Sequence, residues 1–91
     1  MSTENVDGDI SPAQCKAARA LLGLTQPDLA ELASLGLSTV VDFERGRRQL
    51  SQAAVQLLQA ALENAGVQFI SENGGGPGVR LRKPSPRSLE P

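Results

Sequence analysis

Histidine, tryptophan and tyrosine are missing from this chain, cysteine and methionine occur once each, and the aromatic residues are Phe43 and Phe69 alone. Each absence narrows the possibilities. Without histidine there is no imidazole base and no common zinc ligand set. With Cys15 as the sole thiol, neither an intrachain disulfide nor a cysteine-based metal site can form. No nucleophile–base pair and no carboxylate cluster stands out, and 91 residues leave little chain for a deep pocket. The reading is therefore not an enzyme, with no cofactor and no metal. No apolar run approaches the ~20 residues that span a bilayer, and the first residues are acidic where a secretion signal is basic and then apolar. The expectation is a cytoplasmic protein with no membrane partner.

The length suits one domain. With 40% hydrophobic residues but only 2% aromatic, the core must be built from Leu, Val and Ala. That favours a small helical bundle over a sandwich or barrel. So small a core is naturally supplemented by a dimer interface. The net charge of −1 is uninformative, but its distribution is not. Glu4, Asp7 and Asp9 crowd the first ten residues. Arg45, Arg47 and Arg48 cluster mid-chain, and Arg80, Arg82, Lys83 and Arg87 crowd the end. Any nucleic-acid contact must come from this local placement and not from bulk charge.

Residues 1–10 are polar, acidic and unpatterned, and read as a disordered arm. Ser11-Pro12 is a helix start, with Ser as N-cap and Pro at the first helical position. The helix runs to about Leu22, with Cys15, Ala18, Arg19 and Leu22 on one face, and Gly23 ends it. Thr25 caps a second helix carrying Pro27 and Asp28 in its first turn, with Leu29, Ala30 and Ala33 inward. Ser34-Leu35-Gly36 makes a turn. A third helix covers roughly Leu37 to Arg45, with Val40 and Phe43 inward, and Gly46 ends it. Ser51 caps a fourth helix from Gln52 to about Ala65, with Val55, Leu58 and Leu62 on one face and Gly66 as its stop. The pattern then turns β-prone. Val67–Ser71 and Val79–Arg82 flank a glycine-rich loop and read as a β-hairpin. Residues 83–91, rich in proline, read as a disordered tail.

Two short helices joined by a tight turn, the second ending in Phe43-Glu44-Arg45-Gly46, form the layout of a helix-turn-helix. The stretch Thr25-Gln26-Pro27-Asp28-Leu29-Ala30-Glu31-Leu32-Ala33, with Arg19 upstream and the arginines downstream, resembles the Xre family of phage-repressor-like DNA-binding proteins. The resemblance covers about residues 12–66. It implies a mainly α fold: a four-helix lambda-repressor-like helix-turn-helix domain over residues 11–66, here with a C-terminal β-hairpin extension over 67–82. The sequence departs from the family in the turn, where Ser34 stands for the usual glycine and Gly36 for the usual Ser or Thr cap.

The resemblance also implies roles. Arg19 and Glu44 match a structural ion pair that locks the first helix to the back of the third, for which an arginine fork is well suited. Gln26 matches a glutamine that contacts a phosphate or base edge. Leu37, Ser38 and Asp42 occupy base-reading positions, with Val41 beside them and Thr39 facing the DNA backbone. Leu37 and Val41 would pack on thymine methyls, Ser38 would bond either way, and Asp42 would accept from a cytosine amino group. Arg45, Arg47 and Arg48 follow the third helix, where they suit phosphate clamping. The alternative is that exposed Leu37, Val41 and Asp42 mark a protein-binding face and the arginines are ordinary solvated charge.

A lone hairpin is only marginally stable. Its strands need the helical core or a second subunit, and Val67, Phe69, Ile70, Val79 and Leu81 are the residues expected to meet a partner copy. The glycine-rich loop lacks a following helix and a Lys-Ser/Thr, so a nucleotide site is not expected. The functional expectation is a sequence-specific regulator, a homodimeric repressor of a palindromic operator in double-stranded DNA. The competing expectation is an antiactivator-like protein-interaction module on the same scaffold, with a protein partner.

Overall fold

The computed structural model describes residues 9–82. Most of the expected N-terminal arm and the whole expected tail thus lie outside the described residues. Six elements follow in order: α1 Pro12–Leu22, α2 Gln26–Ala33, α3 Leu37–Glu44, α4 Gln52–Ala65, β1 Val67–Ile70 and β2 Gly78–Leu81. The fold is a four-helix helix-turn-helix domain with a two-stranded antiparallel hairpin at its C-terminal end.

Local chemistry explains the helix starts. Ser11 caps α1: its hydroxyl accepts from the Gln14 N–H at 3.1 Å, while the Gln14 side chain accepts from the Ser11 N–H at 2.9 Å. Thr25 and Asp28 repeat the box on α2, at 3.1 and 3.0 Å. The Thr25 backbone N–H, and then its hydroxyl, hold the Asp28 carboxyl below the usual carboxylate range. Ser51 caps α4 through the Ala54 N–H. α3 alone has no side-chain cap, because Gly36 stands at its N-cap.

α1, α2 and α3 end alike, with a left-handed residue and paired backbone bonds. Gly23, Ser34 and Gly46 hold φ of 72°, 60° and 73°. The next residue in each case donates back to a carbonyl five earlier: Leu24 to Arg19, Leu35 to Ala30, Arg47 to Asp42. At Ser34 this conformation carries the cost of a Cβ, about 1–2 kcal/mol. Ser34→Gly is expected to stabilise the domain by roughly 0.5–1 kcal/mol net of the looser unfolded chain, a rise of a few degrees in melting temperature. An unchanged or lower melting temperature would show that the exposed serine makes a compensating contact.

The core gathers the apolar stripes of all four helices. Cys15, Ala18, Leu29, Val40, Leu58 and Leu62 have no exposure at all. Each fully buried leucine contributes about 1.5–3 kcal/mol. The boundary of the packed unit differs from the sequence expectation at one point. Ile10 falls in the expected arm, yet it is 6% exposed and belongs to the core cluster. A single apolar residue shows no periodicity, so nothing local marked it.

The hairpin pairs Val67 with Leu81, Gln68 with Arg80, Phe69 with Val79 and Ile70 with Gly78. It packs on the helices of its own chain: Val67 is 1% exposed, and Phe69 and Val79 lie against the core. Gln14 fastens its loop end, where Ile70 pairs with Gly78. The buried Gln14 amide donates from Nε2 to the Gly78 carbonyl at 2.9 Å and to the Ile70 carbonyl at 3.4 Å. This narrows the strand surface left for a second subunit. Val67 is not available to a second subunit while the domain is packed this way, whereas Leu81 is 53% exposed. The apolar strand face needed a partner, and the helical core supplies it.

Candidate nucleic-acid interface

α3 is eight residues long and turns one face inward: Val40, Phe43 and Glu44 are buried. The opposite side carries Leu37 and Ser38, both exposed, with Thr39, Val41 and Asp42 half-buried. Leu37 is 46% exposed, comparable with Leu32, Leu57 and Leu81. No arginine, lysine, asparagine or glutamine lies on α3 itself.

What fixes the direction of that face is the Glu44 carboxylate. Four donors reach it. Arg19 grips it with a fork, Nη2 to Oε1 at 2.7 Å and Nε to Oε2 at 2.8 Å. The Gln26 amide donates to Oε1 at 3.0 Å, and the Cys15 thiol donates to Oε2 at 3.1 Å. The same arginine also donates from Nη1 to the Leu24 carbonyl at 3.1 Å, beyond the end of α1. One carboxylate thereby ties α1, α2 and α3 together. Burial would push the Glu44 carboxyl up, but the bonds from Arg19, Gln26 and Cys15, with the guanidinium charge, hold it below the usual range. Burial, then the Glu44 bond and charge, push the Cys15 thiol well up, so it stays protonated and donates.

Periodicity put Arg19 and Cys15 on one face, and the resemblance paired Arg19 with Glu44. It did not reveal that Gln26 and Cys15 complete the shell. For Gln26 this alters its role. One of its two amide N–H bonds is committed to Glu44, leaving the other and the carbonyl for an outside group.

Arg45, Arg47 and Arg48 are all exposed, immediately after α3. Gly46 at φ 73° and the Arg47 N–H bond to the Asp42 carbonyl at 2.9 Å set the turn that spaces them. Cations there complement the negative end of the α3 dipole. Among the described residues none of the three joins an ion pair; Arg19 with Glu44 does. Arg80 and Arg82 lie elsewhere, on and just after β2: Arg80 donates to Gln68 across the strands and Arg82 to the Glu63 carbonyl. The glycine-rich loop is closed on itself, since Glu72 accepts from the Gly74 and Gly76 N–H groups at 2.9 and 3.2 Å. Its amides are thus already occupied by an anion. Among the described residues no group of acids and thiols could hold a metal, and no helix is long and apolar enough to cross a membrane.

A tight α2–turn–α3 unit, backed by α1 and α4 and offering one helix face to the outside, defines a helix-turn-helix protein. A family model described as helix-turn-helix matches residues 16–64, more than half of the chain. The chain belongs to that family, the Xre and lambda-repressor-like group, and is a DNA-binding helix-turn-helix regulator. The family is one of DNA-binding regulatory domains and not typically of enzymes. No curated protein matches the chain.

Proposed function

We propose that the chain is a sequence-specific transcriptional repressor that binds a palindromic operator as a homodimer. The observation that carries the DNA contact is the run of exposed Arg45, Arg47 and Arg48 at the C-terminal end of α3. On a helix lying in the major groove, that end meets the sugar–phosphate backbone. The arginines clamp phosphates, and the second Gln26 N–H donates to another. Leu37 and Val41 pack on thymine methyls, Ser38 bonds a base edge, and Asp42 accepts from a cytosine amino group. Thr39 faces the backbone. This is a thin set of base contacts, so affinity rests mainly on phosphates and falls steeply with salt.

For the dimer, the support is the surface the hairpin leaves outward. Leu81 and the half-buried Ile70 remain for a partner copy, with Phe69 and Val79 partly covered by the core. Two subunits would then read half-sites about one helical turn, roughly 34 Å, apart. The lack of any Arg, Lys, Asn or Gln on α3, beside exposed Leu37, favours a second reading, a protein-binding face on the same scaffold. Selection from a random duplex pool, followed by binding at two salt concentrations, separates them. The expected result is a palindromic consensus with a steep salt slope. Absence of any enriched sequence at low salt would overturn the repressor reading and leave the protein-binding one.

A further inference from the structure

Beside the arginine loop lies an open cleft of about 840 Å³, of which the proposed DNA contact uses only the arginine wall. That volume falls in the range of sites that hold a ligand. Its apolar lining includes Ile10, Phe43 and Val55, and Arg47 and Arg48 contribute to the same wall. Asp9 lines it as well. Asp9 is also the first described residue, so the segment before it is joined covalently to the cleft wall. That preceding segment, Met1-Ser2-Thr3-Glu4-Asn5-Val6-Asp7-Gly8, carries two acids, one small aliphatic side chain and no base. At about 3.3–3.6 Å per residue, Asp7 lies within roughly 7 Å of Asp9 and Glu4 within about 18 Å. A tether this short gives the acids an effective concentration in the millimolar range at the cleft.

We propose that residues 1–8 dock in this cleft, with Val6 on its apolar floor and Glu4 and Asp7 toward Arg47 and Arg48, and so compete with DNA phosphates for the arginines. The competition rests on the phosphate role proposed for Arg47 and Arg48; the docking does not. Three features select this occupant over a free small molecule: the covalent join at Asp9 in the cleft wall, the opposite charges, and the short tether. The arm is then an internal counterion. It lowers affinity for all duplexes alike and flattens the salt dependence, because two arginines begin from an acid and not from free anions.

The test uses the full chain and the variant Glu4→Gln/Asp7→Asn. A spin label on Thr3→Cys is selective, since Cys15 has no exposure. Amide broadening at Gly46, Arg47, Arg48 and Gln52 is expected at 20 mM salt, and is expected to be relieved at 500 mM salt and by the double neutralisation. Absent broadening overturns the docking, and so does broadening insensitive to both changes, which reflects the tether alone. In duplex binding, the neutralised chain is expected to bind about three- to tenfold tighter at 50 mM salt, with the difference shrinking at 300 mM. Docking without any gain in affinity overturns the competition. If neither chain binds any duplex, the repressor reading fails, and the broadening still decides the docking.

Discussion

Replacing Arg19 with methionine is expected to cost the domain about 3 kcal/mol or more, the range found when one partner of a buried ion pair is removed. The asymmetry of the pair is the reason. The Glu44 side chain is 1% exposed and the Arg19 side chain 20%, so loss of the guanidinium strands a carboxylate that water cannot reach. Gln26 and Cys15 would remain as neutral donors, too few to replace a charged fork. A domain of this size has roughly 5–10 kcal/mol in all, so the variant should unfold at markedly lower urea concentration. Arg19→Lys should lose less, because it keeps the charge while losing the fork.

The pH dependence should change sign with this substitution. In the native chain Glu44 sits below its ordinary value of 4.5. Its contribution is fully present above that value and is lost as pH falls through the lower, folded one. In Arg19→Met, burial is no longer offset by the cation, and the carboxyl titrates above its ordinary value. Stability would then be lost as pH rises through the region above about 4.5. Urea midpoints between pH 3 and pH 7 read both slopes. A loss under 1 kcal/mol with the native acid slope retained would show that the pair is not what holds α3.

The second large effect concerns binding. Arg47→Ala/Arg48→Ala is expected to weaken association with every duplex alike, by about tenfold per arginine. The slope of log affinity against log salt should become shallower by about 2, close to one unit per lost phosphate contact. Ser38→Ala or Asp42→Ala should do the reverse, leaving the salt slope in place and changing which sequence is preferred. Both arginine side chains are exposed, so the double variant should keep its melting temperature. A loss that depends on sequence, or an unchanged slope, would remove the phosphate role from this loop. An unchanged sequence preference in Asp42→Ala would remove that residue from base reading.

Much of the fold was legible before any coordinate, because helix ends are local chemistry. Ser11 with Gln14, Thr25 with Asp28, and Ser51 each satisfy N–H groups within three residues, and Gly23, Gly46 and Gly66 permit positive φ where a helix stops. Spacing alone then assigned Leu29, Val40, Leu58 and Leu62 to the inside, where the structure has them. Tertiary structure decided what depends on approach between distant segments. Gln26 meets Glu44 across 18 residues, Cys15 meets it across 29, and Gln14 meets Gly78 across 64. No periodicity encodes such a meeting, since each side chain has an equally good local reading as a surface or core residue. The same holds for Ile10, drawn from an unpatterned segment into the core, and for Val67, taken by the chain's own helices before a second subunit could use it. The sequence by itself determined a helix-turn-helix and where its helices start and stop. Only packing determined that one buried carboxylate holds three helices in register, because that requires their donors to converge on a single point.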